Sequence, residues 1–338
     1  MSMETTGTAE AGANIALTKY WGNADAALRI PANDSISLTL DRTRTITTVS
    51  FRDDLEQDEV TVDGRPLSGP ARERVVRHLD LFRRLADLPW RARVVSQNNF
   101  PTGAGIASSA SGFAALTVAC AVALGLELSP QDLSRLARQG SGSAARSIFG
   151  GYVLLHTGAR DEEAFAEPLY GPDWWEICDL VVILSRSEKG VPSSAGHHRA
   201  ETSPLHPARV AYVAELNRRL LAALAERDFA ALGEVAERDA LLMHAVMMTS
   251  HPALLYWLPA TVAMIHRVRR WREEGFPAYF TIDAGANVHV LTLPEHVERL
   301  LSDLRSDPAV QEVLVCRPGE GARAVEGAAG SQADGRRF

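Results

Sequence analysis

The order of apolar and polar positions along the chain predicts two parts with different secondary structure. In roughly the first 185 residues, short alternating or β-branched runs predict strands at 15–20, 45–51, 93–96, 152–156 and 180–184. Between them, the spacing of apolar residues predicts helices at 71–86, 108–124 and 129–138, the last with Ser129 as its N-cap. The helix at 108–124 is small and apolar almost all round, as expected for a helix packed on both sides.

Past residue 189 the pattern becomes mainly helical. Helical patterns cover 207–226, 229–247, 253–274 and 297–304, and strands are predicted at 279–283, 288–293 and 310–316. This order predicts an α+β fold with two lobes. We expect a flexible N-terminus at 1–13, an N-terminal lobe at 14–188, a C-terminal lobe at 189–318 and a disordered tail at 319–338, which is rich in Gly, Ala, Arg and Ser.

Composition and charge exclude several classes of function. The 338 residues are 46% hydrophobic with a formal charge of −7, so the chain can bury a large core but has no globally basic surface for nucleic acid. Cys120, Cys178 and Cys316 are odd in number and lack metal-ligand spacing, which indicates buried thiols in a reducing compartment. The chain starts without a basic, apolar leader, and no apolar run of about 18 residues follows. We therefore expect a cytoplasmic protein that binds neither nucleic acid nor membrane.

Lysine is rare in this chain. Of the 35 Lys and Arg residues, only Lys19 and Lys189 are lysines, so Arg supplies nearly all positive charge. A lysine retained against this bias marks a candidate functional position. Chance survival is the alternative, and it stays open for Lys189.

Residues 101–112, Pro-Thr-Gly-Ala-Gly-Ile-Ala-Ser-Ser-Ala-Ser-Gly, place small residues and hydroxyls directly before the buried helix. Gly103 and Gly105 allow the backbone to approach an oxyanion, and the N–H groups and dipole of a helix that begins at Ser108 favour negative charge. The pattern predicts a phosphate site, with a simple helix cap as the alternative. It is not the GxxxxGK[ST] loop, because no Lys follows the second Gly.

A second cluster of hydroxyls lies at 140–147, Gly-Ser-Gly-Ser-Ala-Ala-Arg-Ser. On a turn that enters a helix, Ser141, Ser143 and Arg146 can converge on one anion. A flexible turn with a surface Arg is the alternative. Two such clusters in one chain favour a ligand with phosphates at both ends.

An acidic residue, Asp283, ends the apolar strand at 279–283, where the following Gly285 permits a sharp turn. A carboxylate at this position can act as a general base, although a turn-forming Asp is the alternative. His197, His198, His206 and Glu201 do not form a metal motif, because adjacent side chains diverge and no helical H-x-x-x-H pattern is present.

Taken together, these segments resemble diphosphomevalonate decarboxylase and its close relatives. Residues 14–22 look like that family's opening strand, 98–112 match its phosphate loop, and 138–147 and 280–287 match two further signatures in the expected order. The likeness runs from about residue 14 to 316. It implies the α+β fold of the GHMP kinases, the superfamily of galactokinase, homoserine kinase and mevalonate kinase, with a β-sheet and packed helices in each lobe and a left-handed βαβ phosphate-binding unit.

The resemblance also implies a reaction with ATP and Mg²⁺. The γ-phosphoryl group of ATP would pass to the tertiary 3-hydroxyl of a phosphorylated mevalonate, and loss of that phosphate and of CO₂ would leave an alkene. The residues implied to hold ATP are Asn98, Gly103, Gly105, Ala107, Ser108 and Ser109. Ser108 is also a candidate contact of Mg²⁺, and no protein metal ligand is assigned.

The catalytic residues implied by the resemblance are Asp283, Lys19 and Arg146. Asp283 would deprotonate or orient the hydroxyl, and Lys19 beside it would keep the carboxylate ionised and stabilise charge in transfer. Arg146 would pair with the substrate carboxylate through two N–H groups. The hydroxyls left for the substrate's own phosphate are those of Tyr20, Ser141 and Ser143.

Two positions of the implied substrate site depart from the diphosphate enzymes. Asn23 stands where those enzymes usually carry Lys, and Asp34 stands in their Asn-Ser-Ser-Ile-Ser segment where Ser is usual. At about 5 Å and an effective dielectric near 20, each unit of charge is worth roughly 3 kcal/mol before screening. Because a diphosphate carries about one more negative charge than a monophosphate, we predict decarboxylation of 5-phosphomevalonate to isopentenyl phosphate.

Three alternatives remain beside this prediction: a diphosphomevalonate decarboxylase that makes isopentenyl diphosphate, a mevalonate 3-kinase that does not decarboxylate, and a catalytically silent binding protein. Arg146 favours decarboxylation, because a kinase need not hold the carboxylate in line for CO₂ loss. Asp283 and the pair Ser108 and Ser109 argue against a silent protein. The expected partner is a small-molecule substrate, and because similar proteins often form homodimers we expect a homodimer.

Overall fold

The computed structural model describes residues 3–100, 108–187 and 190–326, and within them it has an α+β fold. The strands are β1 Glu4–Ala16, β2 Asn23–Asp25, β3 Ile30–Pro31, β4 Ser35–Arg52, β5 Glu59–Val62, β6 Arg65–Pro66, β7 Arg91–Asn98, β8 Tyr152–Leu155, β9 Ala166–Tyr170, β10 Cys178–Ile183, β11 Ala278–Thr281, β12 Val288–Thr292, β13 Glu312–Cys316 and β14 Arg323–Ala324. The helices are α1 Gly69–Ala86, α2 Ser108–Ala123, α3 Pro130–Gly140, α4 Ala144–Ser147, α5 Ser193–Arg199, α6 His206–Glu226, α7 Phe229–Thr249, α8 Pro259–Glu273 and α9 Val297–Arg305.

The first sheet is built around the long strand β4. Its central order is β14-β1-β4-β7-β5-β6, and β8 pairs with the first half of β4 and continues to β9. All of these pairs are antiparallel except β5 with β7. Helix α2 covers this sheet closely, because a Cβ on Gly7 of β1 would lie 2.4 Å from the carbonyl oxygen of Ala119. The small residues of β1 therefore let the helix that begins at Ser108 approach the sheet.

The second sheet has the order β11-β12-β10-β13 and is antiparallel throughout. Helices α8 and α9 pack their apolar faces on it. Strand β10 belongs to this sheet although it precedes the predicted boundary at 188/189. The chain therefore changes sheets between Tyr170 and Cys178, before the composition becomes helical.

The two lobes share one apolar core. Ile15 and Leu38 of the first sheet lie in the same buried cluster as Val181 of the second sheet and Leu216 and Leu232 of helices α6 and α7. Burial of this interface fixes the relative position of the two sheets. In the ranges that the structure describes, no helix combines the length and the apolar character needed to cross a bilayer.

Two predicted unstructured segments were wrong where the structure describes them. Residues 4–13 form most of β1, and Ala9, Ala11 and Ala13 in it are at most 1% exposed. At the other end, β14 pairs with β1, so the chain is ordered through 319–326. Both segments are rich in Gly and Ala, so their side chains contribute little apolar area. They are held by backbone pairing of β1 with β4 and of β14 with β1. The rest of the predicted tail, 327–338, lies outside the described residues.

Candidate active site

A cavity of about 370 Å³ lies between the two lobes and gathers polar residues from both. Its wall includes the end of β1, the N-terminus of α2, the turn after α3, helix α5 and the turn after β11. The lining residues are Asn14, Ala16, Lys19, Tyr20, Trp21, Arg29, Arg74, Ser108, Ser109, Ser141, Gly142, Ser143, Pro192, Ser193, Ser194, His197, Met243, Asp283 and Ala284. Most of the predicted site residues that the structure describes are therefore brought together here.

Lys19 and Asp283 form an ion pair in this cavity. The Nζ of Lys19 lies 2.7 Å from Oδ1 of Asp283, and the lysine side chain is 1% exposed whereas the aspartate side chain is 27% exposed. The acid thus faces the cavity while its cationic partner is buried behind it. A cation at this distance favours the ionised carboxylate, which is the form that accepts a proton.

The backbone of Lys19 is held by a second, fully buried ion pair that comes from the other lobe. Arg209 of α6 and Asp239 of α7 are joined at 3.0 Å, and neither side chain is more than 1% exposed. Asp239 accepts a hydrogen bond from the backbone N–H of Lys19, and Arg209 donates to the carbonyl oxygen of Lys19 at 2.8 Å. We call this pair the lysine clamp. Because both backbone groups of Lys19 are bonded, the clamp fixes the point from which its side chain reaches Asp283.

Asp283 is held through its backbone as well. His244 of α7 donates from Nε2 to the carbonyl oxygen of Asp283 at 3.2 Å, and the N–H of Gly285 donates to the same oxygen at 2.7 Å. Burial, with a smaller contribution from Lys19, lowers the pKa of His244 to about 3. His244 is therefore a neutral donor that positions the turn after β11.

Arg146 lies directly behind the cavity wall and is 2% exposed. Its Nη1 donates to Ser35 Oγ at 2.6 Å, and Nε and Nη2 approach Oδ1 of Asn14 at 3.4 and 3.3 Å. These acceptors are neutral, and Asp283 is the carboxylate that acts on the guanidinium electrostatically. Burial lowers the pKa of Arg146 to about 10 and Asp283 opposes this shift, so the group stays cationic at neutral pH. Its predicted pairing with the substrate carboxylate stays a prediction.

Three serine hydroxyls form a chain in the cavity wall. The Oγ atoms of Ser109 and Ser141 are 3.2 Å apart, and those of Ser141 and Ser143 are 3.4 Å apart. The N-terminus of α2 and the turn after α3 therefore meet at one point. Ser108 and Ser109 lie where the dipole of a 16-residue helix favours negative charge.

The remaining residues implied to hold ATP lie apart from this cavity or outside the described residues. Asn98 ends β7, where its amide donates to Asp63 at 3.1 Å and its Oδ1 accepts from Thr45 at 2.6 Å. Gly103, Gly105 and Ala107 fall in 101–107, which the structure does not describe, as does part of the predicted βαβ unit. Lys189 also lies outside the described residues.

Tyr20 packs tightly against the turn at Gly142. A Cβ on Gly142 would lie 2.0 Å from Cε1 of the Tyr20 ring. The Tyr20 hydroxyl donates to Oδ1 of Asn23. Burial raises the pKa of Tyr20 to about 12, so the hydroxyl keeps its proton as a donor. Asn23 is not among the cavity-lining residues and reaches the cavity only through Tyr20.

This contact predicts the effect of adding one methyl group. Gly142→Ala should push the Tyr20 ring from its position and raise the KM for the phosphorylated substrate by about tenfold, with a loss of unfolding free energy of about 1–3 kcal/mol. Steady-state kinetics and thermal unfolding measure the two effects. Gly171→Ala is the matched control, because the space at Gly171 is open. An unchanged KM in Gly142→Ala would show that the position of Tyr20 is unimportant for substrate binding.

Asp34 has a structural role that the sequence did not reveal. Its Oδ1 accepts the backbone N–H of Thr157 at 2.7 Å, and its carbonyl oxygen accepts from Asn33 and Asn217. It is not among the lining residues of the cavity. The predicted effect of its charge on the substrate phosphate stays a prediction.

Two arginines that sequence reasoning did not single out line the cavity. The Nε of Arg29 donates to the carbonyl oxygen of Gln139 at 3.1 Å, and the Nε of Arg74 donates to that of Gly140 at 2.8 Å. Burial, together with Arg29, lowers the pKa of Arg74 to about 9, so it remains positively charged at neutral pH.

His197 also lines the cavity. Its ring lies 4.4 Å from that of Tyr20 and 4.5 Å from that of Trp21, measured between centroids, and its Nδ1 accepts the N–H of Gly22 at 3.1 Å. Burial, with a smaller effect of Arg29, lowers the pKa of His197 to about 3. The neutral ring therefore carries its proton on Nε2. In the described ranges, no group of three or more His, Cys, Asp or Glu is placed to hold a metal ion.

Comparison with known proteins identifies both halves of the chain. A model of the diphosphomevalonate decarboxylase-like N-terminal domain matches residues 11–166, and a model of the mevalonate 5-diphosphate decarboxylase C-terminal domain matches residues 179–323. The phosphomevalonate decarboxylase of Haloferax volcanii is 36% identical over 294 residues, which cover 87% of this chain and 90% of that protein.

Solved structures agree in fold. The mevalonate diphosphate decarboxylase of Enterococcus faecalis, described in a study of ATP binding mediated by mevalonate diphosphate, has a TM-score of 0.91 and 40% identity, covering 96% of this chain and 100% of its own. A related structure in complex with MVAPP, AMPPCP and magnesium gives the same four values. These similarities confirm the predicted α+β GHMP-kinase fold.

Proposed function

The chain belongs to the diphosphomevalonate decarboxylase family, and from this premise we propose that it catalyses the ATP-dependent decarboxylation of 5-phosphomevalonate. The products are isopentenyl phosphate, ADP, phosphate and CO₂. The observation that carries the proposal is the arrangement around one cavity of the Lys19–Asp283 pair, the buried Arg146 and the hydroxyls of α2.

The reaction requires a phosphoryl transfer coupled to one proton transfer, followed by cleavage of a C–O bond and a C–C bond. Asp283 accepts the proton of the 3-hydroxyl as its oxygen bonds to the γ-phosphorus of ATP, and ADP leaves. The C3–O bond then breaks and releases phosphate, while the electron pair of the C1–C2 bond forms the C2=C3 double bond and CO₂ departs. Lys19 stabilises the charge transferred in the first stage, and the cation of Arg146 holds the carboxylate before it is lost.

The residues at the start of α2 fit a nucleotide phosphate, since two hydroxyls and the positive end of a long helix face the cavity. We propose that Ser108 and Ser109 hold phosphates of ATP, and that Ser108 contacts Mg²⁺. When bound, Mg²⁺ neutralises the phosphate charge that develops during transfer. A relative of solved structure contains AMPPCP and magnesium, which supports the use of ATP and Mg²⁺ by this chain.

The charge of the cavity supports a monophosphate. Arg29 and Arg74 present two cations, and a phosphate monoester carries about −1.5 to −2 at neutral pH. A diphosphate would leave roughly one further negative charge unmatched. Decarboxylation of 5-diphosphomevalonate is the second candidate function, because the relatives of solved structure are diphosphate enzymes. We further propose a cytoplasmic homodimer.

Substrate turnover tests this proposal. Pure protein with ATP and Mg²⁺ is offered mevalonate, 5-phosphomevalonate or 5-diphosphomevalonate, and ADP, phosphate and CO₂ are followed. We expect all three products from 5-phosphomevalonate, with kcat/KM about tenfold or more above that for the diphosphate, since one unmatched charge costs on the order of 1–3 kcal/mol. ADP without CO₂ would indicate a kinase, and a clear preference for the diphosphate would select the second candidate.

A further inference from the structure

We infer that Arg29 is a specificity-determining residue that binds the 5-phosphate of the substrate and supplies the positive charge that Asn23 does not. This inference rests on the proposed function, since it assigns the Arg29 guanidinium to the 5-phosphate of the proposed substrate. Nothing in the sequence pattern of 14–22 indicates it, because Arg29 lies beyond that segment.

The β2–β3 hairpin brings Arg29 to the cavity. Asn23 pairs with Pro31 and Asp25 pairs with Ile30 across this short ribbon, so Arg29 directly precedes the returning strand. Arg29 has φ of 54°, in the left-handed region that side chains other than Gly, Asn and Asp seldom adopt. The turn thus carries a long charged residue in an unfavourable backbone conformation at the cavity wall, which is a known property of functional positions.

The guanidinium of Arg29 is fixed by one contact and otherwise open to a ligand. Its Nε donates to Gln139, and the Nε of Arg74 donates to the next residue, Gly140. The carbonyls of both residues lie at the C-terminus of α3, where the helix dipole attracts cations. In the described ranges, no hydrogen bond occupies the terminal nitrogens of either guanidinium, so they remain available to phosphate oxygens.

In the part of the chain that the structure describes, neither arginine forms an ion pair with a carboxylate. Other arginines act on both guanidinium groups, and Tyr20 opposes their effect. The neighbouring Arg138, by contrast, is paired with Asp161. Two adjacent cations without a counterion repel each other, and a bound dianion relieves this repulsion. Ser141 and Tyr20 line the same cavity and add neutral donors.

The diphosphate enzymes usually carry a Lys at the position of Asn23, whereas this chain has its cation at Arg29. The two cations differ in geometry. Lys carries a point charge on a flexible stem, whereas the planar guanidinium of Arg29 is anchored at Nε and presents a fixed fork. A fork fits the oxygens of one phosphate group. We therefore expect Arg29 to favour a monophosphate by position and not by charge alone.

The test replaces Arg29 by Asn, which removes the charge but tolerates a positive φ. Binding of 5-phosphomevalonate is measured by calorimetry without ATP, and turnover by CO₂ release. We expect Kd and KM for 5-phosphomevalonate to rise by about tenfold to a hundredfold, with kcat and the KM for ATP within about threefold of wild type. The difference in Kd between Arg29→Asn and wild type should become smaller at higher salt.

Two further variants separate a phosphate contact from a structural role. Arg84→Gln, which removes an exposed cation in the last turn of α1, should leave Kd unchanged. Adding Asn23→Lys to Arg29→Asn should recover at least about tenfold of the lost affinity, because it returns a cation beside Tyr20. No recovery, or an unchanged Kd in Arg29→Asn, overturns the inference.

The inference and the proposed function can fail separately. If wild type releases no CO₂ from any phosphorylated mevalonate, the proposed function fails, and calorimetry still decides the role of Arg29. If wild type is active but Arg29→Asn raises the KM for ATP as much as that for 5-phosphomevalonate, the residue is structural and the inference fails alone.

Discussion

Asp283→Asn is expected to lower kcat by at least about a thousandfold, because the amide conserves the shape of the side chain but cannot accept the hydroxyl proton. Lys19 stays within reach of the amide oxygen, so the fold and ATP binding should be close to those of wild type. CO₂ release under saturating substrates measures kcat. Thermal unfolding tests the fold, and ATP titration tests ATP binding.

Asp179→Asn is the matched control for this substitution. Asp179 is a fully buried aspartate of β10 that bonds to His289 at 2.7 Å and does not line the cavity. We expect it to lower the unfolding temperature and leave kcat nearly unchanged. If Asp283→Asn retained kcat within about tenfold of wild type, a general-base role would be excluded and Asp283 would only orient the substrate.

Arg146→Lys is expected to lower kcat by at least about tenfold with little change in KM, because Lys keeps the charge but loses the planar two-point grip. The wild-type side chain contacts Ser35 and Asn14 at the same time, and one ammonium cannot reproduce this geometry. Single-turnover measurements that separate ADP formation from CO₂ release should place the loss at the decarboxylation stage.

Arg138→Lys controls for the cost of shortening a buried arginine. Arg138 is fully buried, but its partners are all protein groups, among them Asp161 and the carbonyl oxygen of Ala164. Arg138→Lys should lower the free energy of unfolding without a selective loss of CO₂ release. A change confined to KM in Arg146→Lys would make Arg146 a simple binding residue.

Most of the regular elements could be predicted from the period of their apolar residues. Ser129 accepts from the N–H of Asp132 as the predicted N-cap of α3, and helix α1 matches its predicted range within two residues. Strand β1 could not be predicted over 4–13, because small residues that pack against Ala119 carry no apolar period. The boundary between lobes was placed late because β10 crosses into the second sheet before the helical pattern begins.

The site was predictable where chemistry and local sequence coincide. Lys19 stood out by the scarcity of lysine and Asp283 by its place after an apolar strand, and the structure joins the two. Arg29 and Arg74 could not be found in this way, since arginine is abundant and only folding brings the hairpin and helix α1 to the same helix end. One signal was available for Arg74, which lies one turn before the buried His78 on the helix predicted at 71–86.

The contacts of Asp34 could not be predicted by counting charges along the sequence. A charge count does not say which way a side chain points. A carboxylate can equally satisfy a backbone N–H, and Asp34 does so at Thr157. The direction of a side chain depends on the loop that packs beside it, which is distant in sequence.

The lysine clamp has a consequence for recombining this enzyme with its relatives. Lys19 lies in the N-terminal lobe, but the two side chains that grip its backbone, Arg209 and Asp239, come from helices of the other lobe. A hybrid that takes its first lobe from one parent and its second from another, joined between Tyr170 and Cys178, splits this group of three between the parents. Such a hybrid takes Lys19 from one parent and the residues that align it from the other, so we expect activity only in hybrids whose second parent supplies both clamp residues.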